Sequence, residues 1–234
     1  MILEPLDYNP PAQPRLNVIH EDRDMIVVNK PGGLLSVPGR TPELFDSVLS
    51  RVRELHPGAQ AVHRLDLGTS GVLVVATRRK AETILRQQFQ DRLTRKVYLA
   101  RVRGVMTDDA GQVNLPLICD WPNRPMQMVC HDTGKPALTD YQVLERAAEN
   151  TLVLLRPHTG RSHQLRVHMA SLGHPILGDN LYGDARTADR LLLHASQLGL
   201  YHPYSGEWTT FHAPCDFAGH IAPIVLEAPT LANP

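Results

Sequence analysis

A carboxylate lies between two leucines in the segment HRLDLGTSG, residues 63–71, directly before an apolar run. We therefore expect Asp66 to be at least partly buried, and a buried carboxylate must be paired with a cation or with hydrogen-bond donors. One interpretation is structural, a salt bridge or turn cap with Arg64 or Ser70. The other is catalytic, a nucleophile or general base that a neighbouring cation keeps ionised and oriented. The residue types alone leave both interpretations open.

A second polar cluster lies in HTGRSHQLRVHM, residues 158–169, within a predicted helix. Its histidines raise the possibility of a metal-dependent hydrolase. However, His163 and His168 are five residues apart, which places them about 140° apart around a helix, and the chain contains no HExxH pattern. Arginines next to a glycine, here Arg161 and Arg166, suit the recognition of phosphate or carboxylate better.

The third candidate is Tyr98, in the strand-like segment RKVYLARV with cations on both sides. It is either an ordinary strand tyrosine or a ring on which a nucleobase stacks. Several familiar motifs are missing from the chain: GxSxG, GxxxxGK[ST] and a strand-linked GxGxxG. The sequence therefore predicts no nucleotide cofactor.

Composition narrows the class of protein. The chain has 24 basic and 24 acidic residues, so a globally basic nucleic-acid-binding surface is disfavoured while a local basic face is not. Arginine supplies nearly all the cations, which suits phosphate recognition, although a codon bias towards arginine explains it equally well. Three scattered cysteines without a CxxC pair indicate reduced thiols and a cytoplasmic location. No apolar run approaches the roughly 20 residues that a membrane span requires.

Strands and helices are mixed without strict alternation, which predicts the α+β class with a mixed, mostly antiparallel sheet flanked by helices and loops. Hydrophobic periodicity predicts helices within 44–55, 79–92 and 160–173. It predicts strands at 16–20, 25–29, 72–76 and 96–104, two strands within 138–157, and shorter strands within 113–118, 126–130 and 190–213. We expect one catalytic domain at 16–217, an extended N-terminal tail at 1–15 and a loosely held C-terminal tail at 218–234.

Together, these clusters resemble the RluA-type pseudouridine synthases, which isomerise uridine in RNA to its C-glycoside. The resemblance spans residues 16–217, and the segments that carry it are NKPGGLLSVPG (29–39), HRLDLGTSGVLVVA (63–76), KVYLARVRG (96–104), GKPALTDYQVL (134–144), TGRSHQLRVHMASLGHPILGDNLYG (159–183) and RLLLHA (190–195). The segment LPLICDWPNRPMQ (115–127) further resembles the dual-specificity subgroup, which acts on 23S ribosomal RNA and on the anticodon stem-loop of certain tRNAs.

The resemblance implies three catalytic residues. Asp66 matches the catalytic aspartate, Arg166 matches the arginine that pairs with it, and Tyr98 matches the tyrosine that stacks on the target base and is a candidate for proton removal at C5. The family pattern leaves three roles for Asp66: attack on C1′, attack on C6, or action as a base towards the ribose. A base inside a folded stem-loop is unreachable, so the target must be flipped out.

The resemblance also implies an RNA-binding set. Arg64 matches the arginine that enters the space left by the flipped nucleotide, while Arg161 and Lys30 are weaker candidates for backbone or structural contacts. We expect a local arginine face around Arg64, Arg161 and Arg166, with helix 80–92 as a further candidate, and an RNA affinity that falls as the salt concentration rises.

The expected partner is therefore RNA, with no cofactor, no metal, no membrane contact and a monomeric chain. Too few residues precede Lys30 for the S4 RNA-binding domain that many relatives carry. The rival interpretation is a non-catalytic RNA-binding or ribosome-assembly factor with the same fold.

Overall fold

The computed structural model describes residues 8–230 of the chain, which contain three helices and twelve strands. The helices are α1 (Val48–Leu55), α2 (Arg79–Gln90) and α3 (Gln164–Ser171). The strands are β1 (Val18–Glu21), β2 (Met25–Lys30), β3 (Gln60–Ala61), β4 (Ser70–Ala76), β5 (Arg95–Arg103), β6 (Ala110–Asn114), β7 (Leu117–Cys119), β8 (Gln127–Val129), β9 (Leu138–Arg146), β10 (Asn150–Pro157), β11 (Leu193–Tyr201) and β12 (Trp208–His212). Each predicted helix and strand region holds an element of the predicted type, and the α+β class is confirmed.

The chain forms two compact units. Among the described residues, the N-terminal unit comprises residues 8–96, Ala195–Cys215 and residues 220–230, and the central unit comprises Val97–His194 and Asp216–Gly219. Because each unit is assembled from segments that are far apart in the sequence, no single cut of the chain separates them. This explains why no change of amino-acid composition along the chain marks a boundary between the two units.

Strand β4 is central to the N-terminal unit, where the sheet order is β1-β2-β4-β11 with β3 on β4 and β12 on β11. Strands β1 and β2 are antiparallel, as are β2 and β4. All seven residues of β4 are buried, as expected for a short, continuous apolar run. Helix α2 covers this core through Ala81 and Leu85. The strand therefore gives a rigid support to the polar segment that precedes it.

Gly71, the second residue of β4, has no side chain for a steric reason. Its φ is +110°, in the region that side chains disfavour, and a Cβ there would lie 2.2 Å from the carbonyl oxygen of Ala195. A side chain therefore cannot be accommodated without moving the backbone of β11.

The central unit contains the antiparallel strands β5, β10, β9 and β6 in that order, and a separate two-stranded ribbon of β7 and β8. Its core includes Val153 and Leu155 of β10 together with Leu165 and Met169 of α3. The apolar residues of α3 thus fix the helix against the sheet, and this packing determines the orientation of its polar residues.

Helix α3 begins later than the sequence predicts. The prediction covers 160–173, but His163 has a φ of +54° and the first helical residue is Gln164. Arg161 and Ser162 therefore lie in the preceding turn, and the predicted helical conformation of these two residues is wrong. The end of the helix is as expected, since Gly173 has a φ of +82°.

The C-terminal segment has no helix or strand within 220–230, but it is not loosely held. The Gln197 side chain bonds both backbone groups of Ile224, at 2.9 and 3.0 Å. The indole of Trp208 donates to the Leu226 carbonyl at 2.7 Å. The prediction of a loose tail is therefore wrong for these residues, because two separated side chains, those of Gln197 and Trp208, supply hydrogen bonds that a local pattern does not reveal.

No helix in the described part of the chain is both long and apolar enough to cross a lipid bilayer.

Candidate active site

The loop that carries Asp66 is held on both sides of that residue. The Ser36 hydroxyl donates to the Leu65 carbonyl at 2.7 Å and accepts from the Leu65 N–H at 3.0 Å. On the other side, the Leu67 carbonyl accepts from the Gly33 N–H at 2.9 Å. Asp66 itself is partly buried, as the sequence predicts. The backbone is thereby fixed immediately before and after the carboxylate, which is what a preorganised catalytic group requires.

Lys30 lies beneath this loop and is completely buried. Its ammonium donates to the carbonyls of Pro31, Leu34 and Leu67 at 2.9, 2.6 and 3.1 Å. A buried cation needs such acceptors, and they use all three of its hydrogens. The prediction of an RNA contact for Lys30 therefore conflicts with its position, and the residue is instead a positioning group that ties loop 31–34 to the Asp66 loop.

Arg64 lies in the same loop as Asp66 and is exposed, as its predicted contact with RNA requires. Its neighbour His63 anchors the loop: the ring stacks on Phe89 of α2 at 4.3 Å, and its Nε2 accepts from the Val74 N–H at 3.1 Å. Burial, with a smaller effect of the Lys96 charge, lowers the pKa of His63 to about 3. The imidazole is therefore neutral near pH 7 and serves as an acceptor, not as a cation.

Tyr98 belongs to β5 of the central unit, opposite Leu155 of β10. It is partly buried and packs against the core of that unit. A tyrosine held in this way presents a fixed aromatic surface at low entropic cost, which suits stacking on a base.

Arg166, in α3, forms a buried bidentate pair with Asp179. Its Nε donates to Oδ2 at 2.8 Å and its Nη2 to Oδ1 at 2.6 Å, and the guanidinium lies 5.2 Å from the centre of the Tyr182 ring. Burial acts to raise the pKa of Asp179, but the hydrogen bonds and charge of Arg166 outweigh it, so the pKa is lowered. The predicted place of Arg166 on an exposed RNA-binding face is wrong, because the residue is 5% exposed. Its predicted pairing with Asp66 stays a prediction.

Arg161 lies in the turn before α3, where its Nε donates to the Pro136 carbonyl at 3.1 Å. The buried Gln164 shapes this turn. Its Oε1 accepts from the Arg161 N–H at 3.0 Å and from the Thr159 hydroxyl at 2.7 Å, and its Nε2 donates to the Leu138 carbonyl at 3.0 Å. The backbone under Arg161 is thus fixed, while its guanidinium is partly accessible.

The comparison with known proteins identifies the family of the chain. Residues 24–171 match the family model described as RNA pseudouridylate synthase. The chain belongs to this family. The matched range includes the Asp66 loop, β5 with Tyr98 and all of α3 with Arg166.

Relatives with a curated name support the same assignment. The dual-specificity RNA pseudouridine synthase RluA of Escherichia coli K12 is 57% identical over 215 residues, which cover 90% of this chain and 98% of that protein. The protein of the same name from Vibrio cholerae is 54% identical over 214 residues, covering 90% and 87%. The chain is thus an RNA pseudouridine synthase, an isomerase, by family and by overall similarity.

Solved structures of human proteins resemble the fold. Human RNA pseudouridylate synthase domain containing 1 superposes with a TM-score of 0.73 at 31% identity, covering 88% of this chain and 86% of that one. The domain containing 4 protein gives 0.70 at 27% identity, covering 86% and 89%.

The histidines of the second cluster have separate partners in this synthase. His158 bonds Asp140 at 2.5 Å, and the Nδ1 of His163 bonds the Tyr182 hydroxyl at 2.8 Å. His168 is buried between the Thr139 hydroxyl and a backbone carbonyl. Across residues 8–230, no three His, Cys, Asp or Glu side chains are grouped so as to hold a metal ion.

Sequence reasoning missed several residues that hold the predicted site residues in place. Ser36 lies in NKPGGLLSVPG, and Asp179 and Tyr182 lie in GHPILGDNLYG, both of which carry the family resemblance. Conservation of these polar residues would have been a signal, but conservation is visible only in an alignment and not in one sequence. From one sequence, nothing marks Ser36 as the partner of a backbone 29 residues away.

Proposed function

We propose that this synthase isomerises specific uridines in 23S ribosomal RNA and in the anticodon stem-loop of tRNA, with Asp66 as its essential carboxylate. The observation that carries the assignment of Asp66 is the fixation of its loop on both sides, by Ser36 at Leu65 and by Lys30 at Leu67. The two RNA targets are those that the resemblance of residues 115–127 to the dual-specificity subgroup implies, and relatives named as dual-specificity RNA pseudouridine synthases match over 90% of the chain.

The reaction breaks the N1–C1′ bond of uridine, turns the uracil and rejoins it through C5, so it needs no electron transfer and no energy-rich cofactor. The target base must first leave its stack. We propose that Arg64, which is exposed beside Asp66, fills the space that the nucleotide leaves. A long planar cation suits that role because its guanidinium stacks on bases and donates to phosphates.

The remaining site residues take the roles that the resemblance assigns. Tyr98 stacks on the uracil and takes part in proton removal at C5. Arg166 is the cation that pairs with the Asp66 carboxylate. Arg161 contacts the RNA backbone from its rigid turn. The enzyme works as a monomer, and we place it in the cytoplasm, where its RNA targets are found and where three cysteines that form no disulfide stay reduced.

The test is tritium release from RNA labelled with 5-³H-uridine. Wild type and Asp66→Asn are incubated with a tRNA anticodon stem-loop and, separately, with a 23S ribosomal RNA fragment, without metal or nucleotide. We expect release by wild type on both RNAs and none above background by the variant. Release on one RNA alone contradicts dual specificity, and equal release by Asp66→Asn contradicts the assignment of Asp66.

A matched control separates loss of chemistry from loss of binding. Asp66→Asn keeps the size of the side chain and removes its charge, so its affinity for the stem-loop should stay within a few-fold of wild type. A wild-type protein that binds both RNAs but releases no tritium favours the non-catalytic RNA-binding factor.

A further inference from the structure

The N-terminal strap, residues 8–15, is an irregular segment fastened to the N-terminal unit. The side chain that fastens it is Arg51 of α1, which is 1% exposed. Arg51 donates to the carbonyls of Pro11 and Arg15 at 2.8 and 3.0 Å, and it forms a bidentate pair with Asp46 at 2.8 and 2.7 Å. A buried guanidinium requires such acceptors, so the strap supplies part of what stabilises α1.

The strap also reaches the loop that follows β2. The Tyr8 hydroxyl donates to the Asp46 carbonyl at 2.6 Å and accepts from the Leu35 N–H at 3.0 Å. Burial raises the pKa of Tyr8, so its hydroxyl stays protonated and able to donate near pH 7. One hydroxyl therefore links the strap, the Asp46 backbone and the middle of loop 31–36.

Loop 31–36 in turn holds the Asp66 loop at two points. Ser36, the residue after Leu35, bonds both backbone groups of Leu65. Leu34, the residue before Leu35, is linked to Leu67 because the Lys30 ammonium donates to both of their carbonyls. Leu35 thus lies between Leu34 and Ser36, the two residues whose hydrogen bonds hold the chain on either side of Asp66.

We propose that the N-terminal strap is a positioning element for catalysis and that Tyr8 is its positioning residue. Through the Leu35 N–H it keeps loop 31–36 in the conformation that places Asp66. The proposal rests on the proposed role of Asp66. It gives a function to a segment that lies outside the region matched by the family model and forms no helix or strand.

The expected effect is on the chemical step and not on RNA affinity. Misplacing a catalytic group by 1 Å costs about 100-fold in rate, and loss of one hydrogen bond to a loop residue shifts the loop by less. We therefore expect Tyr8→Phe to lower the single-turnover rate of tritium release by about tenfold. The dissociation constant for the stem-loop should change less than twofold, by about the scatter of such measurements.

Tyr201→Phe is the matched control. Tyr201 also uses its hydroxyl to hold a terminal segment of the same unit, since it donates to the Pro229 carbonyl at 2.8 Å. Both variants lose one hydroxyl, so both should lower the thermal midpoint slightly. Only Tyr8→Phe should slow the reaction. Equal slowing by both variants, an unchanged rate in Tyr8→Phe, or a loss confined to RNA affinity would overturn the proposal.

Amide hydrogen exchange keeps this test separate from the proposed function. In Tyr8→Phe the Leu65 N–H, which Ser36 accepts, should exchange at least tenfold faster than in wild type, and in Tyr201→Phe it should not. If wild type releases no tritium from either RNA, the proposed function fails, while the exchange measurement still decides whether the strap controls the loop. Unchanged exchange at Leu65 in Tyr8→Phe refutes the strap's effect on the loop whatever the activity.

Discussion

Replacing Asp179 by asparagine should strongly destabilise the central unit. The side chain of Asp179 is inaccessible and that of Arg166 is 6% exposed. Besides both bonds from Arg166, the carboxylate accepts the N–H groups of Leu181 and Tyr182 at 2.9 and 3.0 Å. Asparagine retains one oxygen, but it turns an amide NH₂ towards a donor and removes the charge that compensates a buried guanidinium.

The size of the effect follows from the loss of one partner of a buried ion pair. Removing one partner of a buried ion pair costs about 3–5 kcal/mol. For a chain of this length each kcal/mol lowers the thermal midpoint by about 2–4 °C. We therefore expect Asp179→Asn to unfold about 6–20 °C below wild type. The rate of tritium release should also fall, because Arg166 loses the partner that orients it.

The assay compares thermal unfolding of wild type, Asp179→Asn and Asp184→Asn by circular dichroism. Asp184 forms a bidentate pair with Arg186 of similar geometry, but Arg186 is 89% exposed. Solvent screens such a pair, so the control should unfold near wild type. A midpoint for Asp179→Asn within 2 °C of the control would refute the reasoning.

The double variant Asp179→Asn/Arg166→Met adds a second check. It removes the buried cation together with its partner, so it should be more stable than Asp179→Asn alone. In acid the wild type should behave like the single variant. The folded-state pKa of Asp179 is lowered, so its contribution is complete above the ordinary value of 3.8 and is lost as pH falls below that value.

Three further predictions concern the N-terminal unit. Ser36→Ala leaves two backbone groups without their partner, so urea unfolding should show a loss of about 1–3 kcal/mol for each. A loss below about 1 kcal/mol would mean that water replaces the hydroxyl. In the unfolded chain His63 is protonated below about pH 6.5, but in the folded protein only below about pH 3. The free energy of unfolding should therefore decrease as the pH is lowered from about 6.5 to about 3. His63→Gln should reduce this slope by about one proton, and an equal slope in both proteins would contradict the lowered pKa. Gly71→Ala should yield no folded protein, since its Cβ meets the Ala195 carbonyl, whereas Gly173→Ala meets no atom within 4 Å and should cost only about 1–2 kcal/mol. Similar stability of the two alanine variants, measured by circular dichroism, would refute the steric argument.

The sequence by itself determined the elements and the family. Buried strand β4 and helix α2 were predictable because their apolar spacing is a local property that packing did not override. The partial burial of Asp66 followed from its two leucine neighbours. The motif order then indicated an RNA pseudouridine synthase, and the family match over 24–171 confirms it.

Only the tertiary structure decided which groups hold the site residues. The start of α3 depends on a left-handed His163 and on Gln164, which bonds β9 residues 25 and 26 positions earlier. The burial of Lys30 depends on a carbonyl 37 positions later. Similarly, the sequence showed Asp179 and Tyr8 as ordinary polar residues.

The physical reason is the range of the interactions. Hydrophobic periodicity is set by backbone geometry over a few residues, so one sequence reveals it. A buried polar group must instead find its partner wherever folding places a donor or acceptor. Several groups can satisfy that need equally well in the sequence, and only their distances in the folded chain select one. Hence the family of the chain was predictable from its motifs, while the hydrogen bonds of the loop, the strap and the Arg166–Asp179 ion pair were not.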